Sequence, residues 1–201
     1  MNRRGDAMQS RRSPIKAFFW KVFIRSCWLL SFSGKKGAKI GDRAPDFTLQ
    51  DLSGRSFTLS GIFPEKAAVL WLTNLCSSCE ERIPLLQWVY EANRDRLEIF
   101  AISTLGEDRA TPERILRTHR MTFPLLLDPG DWVGKTLGLP HPIGACPLYN
   151  LLVLDSSGVI RFKSHLSAVR DEVLLEALRS VDAVAAESGF REEGRYNNNG
   201  R

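Results

Sequence analysis

A mixed α/β fold, with a central sheet flanked by helices, is predicted by three features of this 201-residue sequence. Two seven-residue runs, Ala67 to Thr73 and Leu97 to Ser103, are predominantly apolar, as strands covered on both faces require. Segments with helical spacing follow each run, so strand and helix alternate. Short apolar segments around Gly-containing turns stand at both ends of the pattern and predict hairpins there.

The elements follow in order. Ala44 to Leu49 and Ser56 to Leu59 read as short strands around the turn Asp51-Leu52-Ser53-Gly54, an opening hairpin. Ala67 to Thr73 is a buried strand, and Glu80 to Asn93 a helix whose Ile83, Leu86, Val89 and Tyr90 share a face. Pro84 falls inside that helix, where an interior proline costs about 3 kcal/mol and kinks the chain. Leu97 to Ser103 is a second buried strand. Thr111 to His119 is a helix with Thr111 as N-cap and Pro112 at its first position. Phe123 to Leu127 forms a short strand and Trp132 to Leu137 a short helix. Leu148 to Leu154 and Val159 to Lys163 pair across the turn Ser156-Ser157-Gly158. Arg170 to Val181 closes the domain as an amphipathic helix, with Val173, Leu174, Leu178 and Val181 facing inward.

Charge divides the chain further. Residues 1–43 hold eleven Lys and Arg against two Asp, a net +9, whereas the remainder stands at −4. The basic charge therefore sits in an arm, which argues against a nucleic-acid-binding surface on the body. Residues 1–39 are read as this arm, 40–184 as one compact domain, and 185–201 as a disordered tail rich in Gly, Glu, Arg and Asn. Within the arm, residues 15–32 are rich in Phe, Trp, Leu and Ile but are interrupted by Lys16, Lys21 and Arg25. That excludes the roughly twenty apolar residues of a spanning helix and gives no clear secretory signal. Two readings stay open: an interfacial segment making peripheral membrane contact, or a basic leader. The expected location is the cytoplasm or a membrane surface rather than outside the cell.

Four cysteines, Cys27, Cys76, Cys79 and Cys146, are too few for the disulfide lattice of a small secreted scaffold. Cys76-Ser77-Ser78-Cys79 stands between a buried strand and a helix, and that spacing points to redox or metal chemistry. The helix start places Cys76 where free N–H groups and the helix dipole favour a thiolate. Cys79, one turn on, lies deeper and can resolve a mixed disulfide by attacking Cys76. Zinc would need two further ligands, and Cys146 with His141 is the available completion. Cys146-Pro147 precedes a strand, where a cis proline would leave the backbone before it free to pair with an extended peptide. Cys146 itself reads either as a third redox thiol or as a buried space-filler. Glu80 and Glu81 support the helix start electrically, with Glu80 an auxiliary candidate for proton transfer. No Gly-x-Gly-x-x-Gly follows a strand, so no nicotinamide or flavin cofactor is expected.

The run IGDRAPDFTLQDLSG, the strand-CSSC-helix unit with Pro84, and the segments FAISTLGEDRATPERI, MTFPLLLDPG and ACPLYNLLVLDSSGVI together resemble the redoxin branch of the thioredoxin superfamily. That branch includes the alkyl hydroperoxide reductase and thiol-specific antioxidant proteins and the membrane-tethered thioredoxin-like reductases. The resemblance implies a thioredoxin-like fold, with Cys76 as nucleophile, Cys79 as resolving thiol and Pro147 as the adjacent cis proline. Departures are Leu75 where thioredoxins have Trp, and Leu70 where they bury an acid. The peroxiredoxin motif Pro-x-x-x-Thr-x-x-Cys is met at Thr73 and Cys76 but has Val69 at its proline position.

The activity this implies is thiol-disulfide oxidoreduction by Cys76 and Cys79. The alternatives are a peroxidase with Cys76 as the attacking thiol, and a metal-binding module of the same fold. Expected partners are a protein disulfide or small oxidant as substrate and an external dithiol as reductant.

Overall fold

The computed structural model describes residues 37–142 and 144–183. Residues 1–36 of the arm, with Cys27, and the tail therefore lie outside the described residues, as do the expectations of membrane contact over 15–32 and of disorder over 185–201. No helix among the described residues is long and apolar enough to cross a membrane.

Seven strands form one sheet: β1 (Thr48–Asp51), β2 (Ser56–Thr58), β3 (Ala67–Thr73), β4 (Leu97–Ser103), β5 (Leu125–Leu127), β6 (Leu151–Leu154) and β7 (Ile160–Ser164). Their order is β2-β1-β5-β4-β3-β6-β7. The central strands β3, β4 and β5 run parallel. The flanking pairs are antiparallel, with β1 joining β5 on one side and β6 joining β3 on the other. The helices are α1 (Ser77–Glu80), α2 (Ile83–Ala92), α3 (Ala110–His119), α4 (Trp132–Thr136) and α5 (Asp171–Arg179), and a single 3₁₀ turn spans Leu59–Ile62.

Strand period explains the two cores. Val69 and Trp71 of β3 point to one face with Ile99 and Ala101 of β4, where Ile83, Leu86 and Val89 of α2, Ile115 of α3 and Leu174 and Leu178 of α5 cover them. Leu70 and Leu72 point to the opposite face with Phe100 and Ile102, beneath Val133 of α4, Leu137 and Leu59. Phe100 there receives the edges of Phe47 and Phe57 at centroid distances of 6.2 and 5.8 Å.

β3 and β4 have the bounds their apolar runs predict, and several other elements differ in ways with local causes. The helix expected over residues 80–93 is broken in two at Glu81 and Arg82. Pro84 thus lies in the first turn of α2 rather than inside a longer helix, and its missing N–H there is one that no intrahelical acceptor would have met. Thr111 does not cap α3. The helix starts at Ala110, and the Asp108 carboxylate accepts the Ala110 and Thr111 N–H groups at 2.9 and 3.2 Å. Pro112 is the third helical residue, still within the first turn. Val173 is exposed, and Leu174, Leu175, Ala177 and Leu178 form the inner face of α5.

Candidate active site

The sulfur chemistry sits where β3 ends. Leu75 turns the chain with φ 55 while remaining buried, a left-handed conformation that side chains other than Gly adopt at a cost. It is held by the Thr73 hydroxyl, which accepts the Leu75 N–H at 2.9 Å. Thr73, carried over from the peroxiredoxin motif, thus serves the turn that launches Cys76. Cys76 follows as the N-cap residue of α1, its carbonyl accepting the Cys79 and Glu80 N–H groups at 2.9 and 2.8 Å. The Cys76 side chain is exposed and that of Cys79 is fully buried. This is the division of labour the spacing predicts: one thiol reaches solvent and the other lies one turn below.

A second loop, between α4 and β6, brings Cys146 to the same place. The sulfurs of Cys76, Cys79 and Cys146 all lie within 4.8 Å of one another. Cys79 and Cys146 face each other at 3.8 Å. Asn74 ties the loops together: its backbone N–H donates to Cys146 Sγ at 3.3 Å and its Nδ2 donates to the Gly144 carbonyl at 3.0 Å. Its Oδ1 accepts the Cys76 N–H at 3.2 Å and the Cys146 thiol at 3.0 Å. Thr104 adds a hydroxyl bond to the Ala145 carbonyl at 2.9 Å. Asn150, wholly buried, donates its Nδ2 to Cys79 Sγ at 3.7 Å and accepts the Leu166 N–H on its Oδ1 at 2.8 Å.

These contacts polarise the sulfur pair. The Cys146 thiol is drawn well below the ordinary thiol range, to about 5, first by the hydrogen bond from Cys79 and then by the Asn74 N–H, the Asn150 amide and the nearby His165. Burial opposes the shift, and so does Asn74 Oδ1, which favours the protonated thiol. Cys79 is pushed far above the thiol range, because it holds the proton it shares with Cys146 and because it is buried.

Three expectations are corrected. The Cys146-Pro147 bond is trans, the one cis bond among the described residues being Phe63-Pro64. Gly144 turns the chain before β6 at φ 77, its N–H donating to the Thr104 carbonyl, and the bond has the trans form that X-Pro prefers by about 0.5–1 kcal/mol. Pro147 is also buried. His141 cannot complete a metal site with Cys146: its Nε2 lies 3.1 Å from Asp131 Oδ1 and its Nδ1 2.8 Å from the Leu139 carbonyl. Glu80, the auxiliary candidate for proton transfer, is engaged instead with His119 Nε2 at 2.9 Å and Arg114 at 3.3 Å, and its carboxyl is held below its usual range first by the His119 bond.

Asn74 and Asn150 were not foreseen as site residues. Each is a lone amide at the edge of an apolar strand, Asn74 after β3 and Asn150 before β6, and a polar side chain in that position is the available signal. Leu70, at the place of the thioredoxin acid, packs into the opposite core, so the polar neighbours of Cys79 are Cys146 and Asn150 instead.

An exposed cysteine capping a short helix, a buried partner one turn below and a sheet of this order define a dithiol oxidoreductase of the thioredoxin-like class. Its particular branch follows from residues 40–163, by which the chain belongs to the AhpC/TSA family. The thiol-disulfide oxidoreductase ResA of Geobacillus thermodenitrificans is 25% identical, over 69% of this chain and 83% of its own. Peroxiredoxin Q of Triticum aestivum chloroplasts is 31% identical, over 61% of this chain and 57% of its own. Among solved structures, peroxidoxin BcpB of Mycobacterium tuberculosis shares the fold, with a TM-score of 0.61 at 21% identity over 74% of this chain and 99% of that one.

Proposed function

We propose that the protein is a thiol-disulfide oxidoreductase acting on protein thiols and disulfides, with Cys76 as the attacking sulfur and Cys79 as the resolving one. The observation that carries this reading is the exposed Cys76 standing one helical turn above a buried Cys79, their sulfurs within 4.8 Å. In the reducing direction the Cys76 thiolate attacks a substrate disulfide, a Cys76–substrate disulfide forms and one substrate thiolate leaves. Cys79 then loses its proton toward Cys146 Sγ, 3.8 Å away, and attacks Cys76. The second substrate thiol departs and the protein is left with a Cys76–Cys79 disulfide. An external dithiol returns it to the reduced state. Exposed Leu148 and Tyr149, just past Pro147, support a protein substrate, since they offer apolar surface beside the cysteine loop.

The test is the reduction potential of the pair, read by counting thiols in glutathione or dithiothreitol buffers. A two-electron couple that disappears in Cys76→Ser, together with loss of disulfide reduction by at least about 10³-fold, is expected. Failure to form an intramolecular disulfide would sink the reading.

The likeness to peroxiredoxin Q favours a second activity, reduction of peroxide by Cys76. Val69, at the motif's proline position, is a fully buried sheet residue that brings no polar group to the sulfur. Peroxide consumption by the reduced protein, driven by dithiol, separates the two activities.

A further inference from the structure

Disulfide exchange needs two sulfurs, and this site gathers three. Among the described residues, Cys76, Cys79 and Cys146 form the group of ligand-bearing side chains whose donor atoms converge. Cys79 and Cys146 are already 3.8 Å apart. Two sulfurs bound at about 2.3 Å to one ion stand about 3.8–4.0 Å apart in tetrahedral or trigonal geometry. The remaining separations are at most 4.8 Å, so a shift of about 1 Å or less at exposed Cys76 would close the triangle.

We propose that in the fully reduced protein Cys76, Cys79 and Cys146 form a three-sulfur site for Cu(I). The donor set selects the ion. All three donors are thiols, which favour soft metals, and structural zinc takes four protein ligands. No histidine nitrogen joins the converging group among the described residues, and His119 and His141 are paired with Glu80 and Asp131. The Asn74 N–H to Cys146 and the Asn150 amide to Cys79 are donors placed to offset charge on bound thiolates. Cys146 gives up its bond to Asn74 Oδ1 on binding, and each sulfur bound as thiolate releases one proton.

Copper keeps its oxidation state in this step, and no other reactant is needed. Binding and disulfide chemistry exclude one another, because forming the Cys76–Cys79 disulfide removes two of the three ligands. The ion would therefore be held by reduced protein and released by oxidised protein.

The experiment is an anaerobic titration of the reduced full chain with Cu(I) against bathocuproine disulfonate, with X-ray absorption to count sulfur ligands. One Cu(I) per chain with three sulfurs is expected, and Cys146→Ala should lower the affinity at least about 10-fold and leave two sulfurs. Two sulfurs in the unaltered protein, or equal affinity in Cys146→Ala, would overturn the proposal, and displacement of Cu(I) by equimolar Zn(II) would overturn the choice of ion. The sulfur count in unaltered protein does not depend on the variant folding. Neither readout involves turnover, so failure here is distinguishable from failure of the oxidoreductase reading.

Discussion

The two loops that meet at the sulfurs place their cysteines by different means. The loop after β3 uses main chain: a buried left-handed Leu75, then the start of α1, so that Cys76 and Cys79 are separated by one helical turn. The loop before β6 uses side chains: Asn74 and Thr104 donate to its carbonyls, Asn74 Oδ1 accepts its thiol, and Asn150 anchors its far end. A sulfur set by helix geometry keeps its spacing whatever surrounds it. One set by hydrogen bonds can be moved by changing a neighbour. The first arrangement suits a pair that must form and break one bond, whereas the second leaves Cys146 adjustable.

That contrast yields graded tests. The largest effect belongs to the helix-set pair: Cys79→Ser should reduce turnover by at least about 10²-fold and accumulate a Cys76–substrate disulfide, visible as a mass adduct under non-reducing conditions. If no adduct accumulates, Cys79 is not the resolving thiol. Smaller is the effect of the amide anchor. Asn150→Leu leaves the buried Leu166 N–H without its 2.8 Å acceptor, and denaturant unfolding should show a loss of about 1–3 kcal/mol. An unchanged midpoint would mean that the Cys146 loop does not depend on its side-chain grip.

The smallest effect tests the rim of the helix-set loop. Glu80, partly buried, bonds His119 and Arg114, and its carboxyl titrates below the usual 4.5. A depressed carboxyl contributes stability that is complete above that value and is lost as pH falls through the folded one. Glu80→Gln should therefore cost about 0.5–1 kcal/mol at neutral pH and progressively less in acid, measured by thermal unfolding across pH. A loss that stays constant with pH would assign the effect to packing.

Legibility in the sequence followed the same contrast. The Cys76–Cys79 pair was readable because its spacing matches one helical turn after an apolar strand. The break at Glu81 and Arg82 was not, since residues 80–93 keep a helical apolar spacing across it and Pro84 then looked like an interior kink. Cys146 was readable as a candidate, but the hydrogen bonds that seat its loop come from Asn74 and Thr104, and His141 is paired with Asp131, contacts that no local pattern encodes.

By itself the amino-acid sequence determined the alternation of buried strands and helices, the face shared by Ile83, Leu86, Val89 and Tyr90, and the strand-to-helix seat of the cysteine pair. These rest on local periodicity and residue type, which each segment carries within itself. Only the tertiary structure decided that Cys146 lies against Cys79, that Asn74 and Asn150 hold the sulfurs, and that Glu80 is committed to His119 and Arg114. Those contacts join residues 34 to 72 positions apart, and no local pattern encodes a partner that chain folding has yet to deliver.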